Sequence, residues 1–234
     1  EEVMAKIKRP DGVSFAGLAL NARGAERAIN ASVDEVRYVV VASENFNQRN
    51  QGAGIAETLA EFSEIADKVV QAGLKLSATI GAAFGCPFEG NVETAKVARI
   101  AKQLTGGGCV EIGMADTIGA GVPTQVTEIY GLVRDAVGMD IGLGFHLHNT
   151  RNTGFANAAI AVGEGTLFLD SSVGGLGGGS FTPNATGNIA TEDLAYMLRN
   201  MGYETGIGIN TYIGIANWVQ GFFDAPLPGQ IMKA

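Results

Sequence analysis

The chain has 234 residues, of which 46% are hydrophobic and 17% are charged, a balance typical of a globular protein and not of a disordered one. The formal net charge of −8 argues against a nucleic-acid surface, which needs a basic patch. No apolar run of about 18 residues is present, so the sequence predicts no membrane span. The two cysteines, Cys86 and Cys109, form no disulfide framework, and we expect a reducing, cytoplasmic location.

Short apolar strands alternate with helices along the chain. The six predicted strands begin near Val13, Glu35, Leu74, Cys109, Ile141 and Thr166. Predicted helices cover residues 22–30, 55–72, 92–104, 123–137, 152–163 and 190–200, and residues 43–54 are expected to form a polar loop. Such alternation is typical of βαβ units and a parallel sheet.

Two architectures fit this alternation, an open doubly wound sheet and a (β/α)₈ barrel. Polar residues at the predicted carboxyl ends of the strands favour the barrel, because a barrel gathers these ends into one mouth. They are Asn21, Ser43, Glu44, Asp116, Thr117, His146, His148, Asp170, Ser171 and Ser172.

We therefore predict an α/β TIM (β/α)₈ barrel. A closed barrel needs eight strands, so we expect this chain to lack the first two of them. Residues 1–206 are predicted to form the incomplete catalytic barrel domain, with six of eight β/α units, and residues 207–234 a C-terminal helical segment that packs on it.

The only two histidines of the sequence, His146 and His148, lie two residues apart at the end of a predicted strand. Side chains alternate faces along a strand, so both imidazoles point the same way, and neutral imidazole is a common metal ligand. Asn188, beyond a glycine-rich loop, could add an amide oxygen or cap the next helix. This donor set suits Mg²⁺ or Mn²⁺, with Zn²⁺ possible. Two hydrogen-bonded histidines at a strand edge are the alternative interpretation.

Asp116 stands at the end of the fourth predicted strand. It could orient a ligand imidazole or transfer a proton, or it could cap the following helix. The glycine-rich loop at 174–179 could bring backbone N–H groups to an anion, but it lacks the sequence of a P-loop and of a dinucleotide site.

Four ordered motifs resemble the 3-hydroxy-3-methylglutaryl-CoA (HMG-CoA) lyase family of the DRE-TIM metallolyases. They are GCPFEG at 85–90, DTIGAGVP at 116–123, HLHNT at 146–150, and DSSVGGLGG at 170–178 followed by ATGNIATED at 185–193. The resemblance extends over almost the whole chain. It implies a retro-Claisen lyase that depends on a divalent metal and cleaves an HMG-CoA-like acyl-CoA to acetyl-CoA and a 3-oxo acid.

The resemblance also implies site residues. His146, His148 and Asn188 match metal ligands, and Asp116 matches a family acid implicated in catalysis. The positions that contact the pantetheine arm of CoA match Asn50 and Asn217. A further ligand, an aspartate of the family's Asp-Arg-Glu signature, and the arginine beside it are absent from this chain.

The expected partners follow from the same evidence. We expect an acyl-CoA substrate and no nucleic-acid or membrane partner. Because an incomplete barrel exposes two strand edges, we also expect a homo-oligomer, a dimer or higher.

The chain departs from the family at the glycine-rich loop. Gly179 stands where the family has a catalytic cysteine, and Ser180 replaces the following proline. Glycine has no side chain to donate a proton. Three functions remain open: a metal-dependent acyl-CoA lyase, another DRE-TIM reaction such as a Claisen-type synthase or a hydroxy-oxo-acid aldolase, and a catalytically degenerate paralogue or fragment.

Overall fold

The computed structural model describes residues 1–178 and 187–234. Six parallel strands form one sheet in sequential order: β1 (Ala16–Ala19), β2 (Glu35–Val41), β3 (Lys75–Gly81), β4 (Glu111–Asp116), β5 (Gly142–Leu147) and β6 (Phe168–Asp170). The order never reverses, as it would at the switch point of a doubly wound sheet. The sheet curls so far that Arg37 of β2 reaches Asp170 of β6. The predicted barrel architecture is therefore confirmed as a six-stranded half-barrel.

Helices connect the strands and cover the outer face of the sheet. They are α1 (Glu2–Lys6), α2 (Ala22–Asn30), α3 (Glu44–Gln51), α4 (Ile55–Gln71), α5 (Thr94–Gly106), α6 (Pro123–Val137), α7 (Gly154–Gly163), α8 (Thr191–Asn200) and α9 (Ile209–Gln220). Helix α9 contacts α8 and the 3₁₀ turn at Val173–Gly175. A second 3₁₀ turn lies at Ile231–Lys233. Among the described residues, no helix is long and apolar enough to cross a membrane.

The hydrophobic core lies between the sheet and its covering helices. Alternate residues of the strands face outward, and fully buried examples are Tyr38, Ile80, Met114 and Phe145. The Tyr38 ring lies 5.4 Å from the ring of Phe62 on α4. This burial of the outer face is what fixes the strands, and it leaves the inner face for polar groups.

The predicted polar loop at 43–54 is wrong, because most of this segment forms helix α3. Ser43 caps the helix by accepting a hydrogen bond from the Phe46 N–H, and Gly52, at φ 76°, ends it in the left-handed conformation that glycine favours. The segment has little apolar periodicity, with Phe46 as its one large apolar residue. Tertiary contacts therefore stabilise a helix that the hydrophobic pattern does not indicate.

Asn47 supplies the main tertiary contacts of α3. Its Oδ1 accepts a hydrogen bond from the Val41 N–H at 2.8 Å, and its Nδ2 donates to the Ala53 carbonyl at 2.9 Å and to the Thr58 hydroxyl at 2.7 Å. The side chain is fully buried. One amide thus joins the end of β2, the loop after α3 and the first turns of α4.

The inner face of the sheet carries an ionic network. Glu35 accepts hydrogen bonds from Arg37 at 2.9 Å and from the Ser77 hydroxyl, and it forms an ion pair with Lys75 at 3.1 Å. Lys75 also pairs with Glu111. Burial alone would raise the pKa of Glu35, but Ser77, Arg37 and Lys75 together hold that pKa below its usual value.

The variant Asn47→Ala tests the contacts of α3. It leaves a buried N–H and a buried carbonyl without their partner, so we expect a loss of about 2–4 kcal/mol in the free energy of unfolding. Urea denaturation measures this loss. Asn45→Ala, an exposed change on the same helix, is the control and should cost less than about 1 kcal/mol. Equal losses of unfolding free energy in the two variants would contradict the role assigned to Asn47.

The variant Glu35→Gln tests the inner-face network through pH. A carboxyl whose pKa is lower in the folded state stabilises the fold above its unfolded pKa, and this stabilisation is lost as the pH falls through the folded pKa. We therefore expect the variant to be less stable than the wild type at pH 7 and the difference to shrink below about pH 4.5. Urea unfolding from pH 7 to 3.5 measures it, with exposed Glu128→Gln as control. A difference that does not change with pH would contradict the prediction.

Candidate active site

A cavity of about 410 Å³ opens along the inner face and the carboxyl ends of the strands. Its walls are partly aliphatic, with polar groups at a few positions. The described lining residues are Leu18, Leu20, Arg37, Val39, Val41, Phe46, Asn50, Thr79, Gly81, Ala115, Thr117, His146, His148, Asp170, Gly178 and Asn188. The cavity therefore brings together four predicted site residues: His146, His148, Asn188 and Asn50.

The two imidazoles face each other in this cavity. His146 Nε2 and His148 Nε2 are 3.2 Å apart, a hydrogen-bond distance, so this contact also fits the alternative of two hydrogen-bonded histidines. His148 is buried, and this burial, assisted by the neighbouring His146, lowers the pKa of His148 to about 4. His148 is therefore neutral at pH 7, the form in which imidazole binds metals.

Asn188 directs an amide oxygen into the same region. Its backbone forms an antiparallel bridge with His148, and its Nδ2 donates a hydrogen bond to the Leu176 carbonyl at 3.0 Å. This bond fixes which way the amide points. Its Oδ1 is buried and has no hydrogen-bond partner among the described residues. An oriented amide oxygen beside two imidazoles, unpaired within residues 1–178 and 187–234, is available as a metal ligand.

The three donors fit a divalent cation. Two nitrogens that occupy neighbouring positions of one octahedral ion lie about 3 Å apart, close to the observed imidazole separation. Within the described ranges, no group of three or more His, Cys, Asp and Glu side chains is placed to hold a metal. Two imidazoles and one amide oxygen are therefore a partial donor set, to which water or substrate oxygens would add.

A second layer of charge lies behind His146. Asp170 Oδ2 is 3.3 Å from His146 Nδ1, and Asp170 also accepts hydrogen bonds from Arg37 at 3.1 and 3.3 Å. Burial would raise the pKa of Asp170, but His146 and Arg37 outweigh it and the pKa is lowered. The sequence placed Asp170 among the polar residues at the mouth of the barrel without giving it a role, and it did not single out Arg37. The available signal was the spacing of Glu35 and Arg37 in β2. Side chains two residues apart lie on the same face of a strand, so the pair indicates a polar inner face of the sheet.

The structure does not bring Asp116 into the cavity. Asp116 is fully buried on the outer side of β4, where its two oxygens accept hydrogen bonds from the Ala120 N–H at 2.9 Å and the Gly121 N–H at 2.8 Å. Burial raises the pKa of this carboxyl, against the effect of the two N–H groups. The helix cap of α6 is Val122, so Asp116 is not the cap either. These contacts shape the loop between β4 and α6, and the catalytic role of Asp116 stays a prediction.

The remaining predicted site residues lie in different places. Asn50, on α3, lines the cavity. Asn217 is exposed on α9 and is not among the described lining residues. Gly179 and Ser180 lie outside the described residues. The roles assigned to all of these residues stay predictions.

The variant Asp116→Ala separates a loop-shaping role from a catalytic one. It removes the acceptor of two largely buried N–H groups, so we expect the free energy of unfolding to fall by about 1–3 kcal/mol. Thermal and urea denaturation measure the effect, with Asp135→Ala, an exposed change on α6, as the control. Unchanged stability together with a large loss of turnover would support the catalytic interpretation.

Sequence comparison places the chain among lyases. The family model HMGL-like matches residues 1–219. The (R)-citramalyl-CoA lyase of Chloroflexus aurantiacus is 42% identical over 220 residues, which cover 94% of this chain and 69% of that protein. The mitochondrial hydroxymethylglutaryl-CoA lyase of Gallus gallus is 36% identical over 218 residues, which cover 93% and 73%.

Solved structures agree with this placement. The hydroxymethylglutaryl-CoA lyase of Pseudomonas aeruginosa superposes with a TM-score of 0.92 at 32% identity, covering 99% of this chain and 77% of the other. An HMG-CoA lyase of Acinetobacter baumannii, in complex with coenzyme A and 3-methylmalate, gives a TM-score of 0.94 at 34% identity, covering 100% and 76%. The chain therefore belongs to the HMG-CoA lyase family of DRE-TIM enzymes, and it is a carbon–carbon lyase built on part of a TIM barrel.

Proposed function

We propose that the protein cleaves a 3-hydroxy-3-methylglutaryl-CoA-like acyl-CoA to acetyl-CoA and an oxo acid, with Mg²⁺ or Mn²⁺ held by His146, His148 and Asn188. One observation carries the proposal. In a member of this lyase family, two facing imidazoles and an amide oxygen that has no hydrogen-bond partner among the described residues converge in a cavity at the carboxyl ends of the strands.

The names of the relatives support a substrate class. Both HMG-CoA and citramalyl-CoA carry a tertiary hydroxyl group on C3 of the acyl chain and a carboxylate beyond it. They differ by one methylene between that carbon and the carboxylate. The relative solved with coenzyme A and 3-methylmalate holds a thiol carrier and a hydroxy-diacid together. We therefore propose a CoA thioester of a 3-hydroxy diacid as the substrate of this chain.

The proposed cleavage is a retro-Claisen step. The C3 hydroxyl loses its proton, the C2–C3 bond breaks, and C3 becomes the carbonyl of the oxo acid. The electron pair of the broken bond passes to C2 as the enolate of acetyl-CoA, and C2 then takes up a proton. A bound divalent cation would act as a Lewis acid that stabilises negative charge on oxygen.

The chain's own residues have three tasks in this proposal. His146, His148 and Asn188 hold the cation and thereby orient the substrate oxygens. Aliphatic walls that include Val39 and Val41 exclude water from the reacting carbons. Asn50, which lines the same cavity, is proposed to contact the pantetheine arm of CoA.

We also propose that the protein is a cytoplasmic homo-oligomer. Support comes from exposed aromatic side chains at and just after the end of α9: Trp218, Phe222 and Phe223. Exposed apolar patches of this kind favour association.

The first test is metal binding. We expect about one Mn²⁺ per chain by electron paramagnetic resonance, and at least a tenfold weaker affinity in His148→Ala, because one of three protein ligands is lost. Asn45→Ala, exposed on α3, is the control and should bind like the wild type. Equal Mn²⁺ binding by His148→Ala and the wild type would refute the site.

The second test is turnover with the metal-loaded protein. We expect acetyl-CoA from HMG-CoA, with acetoacetate as coproduct, or from citramalyl-CoA, with pyruvate. A preference for citramalyl-CoA is the second candidate, favoured by the 42% identity to that lyase. Product formation only in the condensation direction would replace the lyase proposal with a Claisen-type synthase. No turnover above the metal-only blank with either thioester would reject the proposal.

A further inference from the structure

We propose that Asp170 and Arg37 form a positioning pair for His146. Asp170 accepts the Nδ1 proton of His146, and Arg37 holds Asp170 in place, so that His146 presents the lone pair of Nε2 to the cavity. This pair adds detail to the proposed function. It rests on that function only for the identity of the ion that Nε2 of His146 binds.

The contact between Asp170 and His146 follows from strand register. The two residues are direct partners in the parallel ladder of β5 and β6, and both side chains lie on the inner face. Their closest approach, Oδ2 to Nδ1, is 3.3 Å. A carboxylate has no proton to give, so a hydrogen bond across this contact requires Nδ1 to donate, and the Nδ1–H tautomer has its lone pair on Nε2. That is the nitrogen that faces His148 at 3.2 Å.

Arg37 is itself held on three sides. Its Nε and Nη2 donate to Glu35 at 3.1 and 2.9 Å, and its Nη1 donates to both oxygens of Asp170. The guanidinium lies 4.7 Å from the centre of the Phe168 ring. The fork geometry of arginine allows these contacts at once, which the single ammonium of a lysine does not.

Phe168 can lie under Arg37 because a neighbouring strand leaves room for it. A Cβ at Gly144, on β5, would lie 2.4 Å from the Phe168 ring. Glycine at 144 therefore admits the ring into the interior of the half-barrel. Phe168 and Glu35 thus hold the guanidinium of Arg37. Arg37 in turn donates hydrogen bonds to the carboxylate of Asp170.

Lys75 provides a matched control for this pair. It belongs to the same inner-face network, where it pairs with Glu35 and Glu111, but no ion pair or hydrogen bond joins it to Asp170 among the described contacts. Removing Lys75 therefore disturbs the interior charges without releasing Asp170. An effect specific to Arg37 separates positioning of His146 from general stabilisation of the interior.

The experiment compares wild type, Asp170→Ala, Arg37→Met, Arg37→Lys and Lys75→Met, each in two readouts. The first is the tautomer of His146 by ¹⁵N nuclear magnetic resonance of the metal-free protein at neutral pH. With two histidines in the chain, His148→Ala assigns the signals. We expect the Nδ1–H tautomer in the wild type and in Lys75→Met, and a mixture in Asp170→Ala and Arg37→Met.

The second readout is the Mn²⁺ dissociation constant. Loss of the partner of a ligand histidine typically weakens metal binding about 10- to 100-fold, which we expect for Asp170→Ala. We expect a smaller loss, about 3- to 10-fold, for Arg37→Met, partial recovery in Arg37→Lys, and less than a twofold change in Lys75→Met.

Three results would overturn the inference: an Nε2–H tautomer in the wild type, wild-type behaviour of Arg37→Met in both readouts, or equal effects of Lys75→Met and Arg37→Met. If Arg37→Met does not fold, Arg37→Lys and Asp170→Ala decide by the same readouts. Absence of Mn²⁺ binding by the wild type would reject the proposed metal site, while the tautomer in metal-free protein still decides the positioning pair.

Discussion

Arg37 crosses the interior of the half-barrel from β2 to β6, where Glu35 and Phe168 hold it and Asp170 accepts its hydrogen bonds. The Arg37 side chain is 15% exposed, and a guanidinium so largely removed from water is costly unless its donors are satisfied, which favours making its contacts together. The strands that supply them are thereby tied in one arrangement. The candidate site at the mouth of the half-barrel depends on this interior contact, because Asp170 is also the neighbour of His146.

The two faces of the sheet have different roles: the outer face stabilises the fold, and the inner face carries the polar groups of the candidate site. The outer face buries aliphatic and aromatic side chains under the helices, which supplies most of the stabilisation. The inner face carries the ionic network and, at the carboxyl ends of the strands, the imidazoles. Because strand side chains alternate, the same short segments serve both purposes, as Tyr38 and its neighbour Arg37 illustrate.

Buried polar groups in this structure shape loops as well as the site. Asn47 joins α3 to its surroundings, and Asp116 gathers the N–H groups of the loop before α6. Helix α3 carries Asn50, and Thr117 follows Asp116, and both of these residues line the cavity. Asn47 and Asp116 do not line the cavity themselves. Their hydrogen bonds hold the segments that bring Asn50 and Thr117 to its wall.

The sequence by itself determined the alternation of strands and helices, the parallel barrel and the family, because these follow from local periodicity and from contiguous motifs. It also placed His146 and His148 on one face, since a spacing of two needs only a strand. The tertiary structure decided the rest. It made a helix of residues 44–51, turned Asp116 away from the cavity, and brought Arg37 to Asp170 across 133 residues of chain. The contact between Arg37 and Asp170 joins segments far apart in the sequence and forms only when the sheet curls. Asn47 and Asp116 act instead through largely buried hydrogen bonds to groups 4 to 11 residues away, which side-chain periodicity does not reveal.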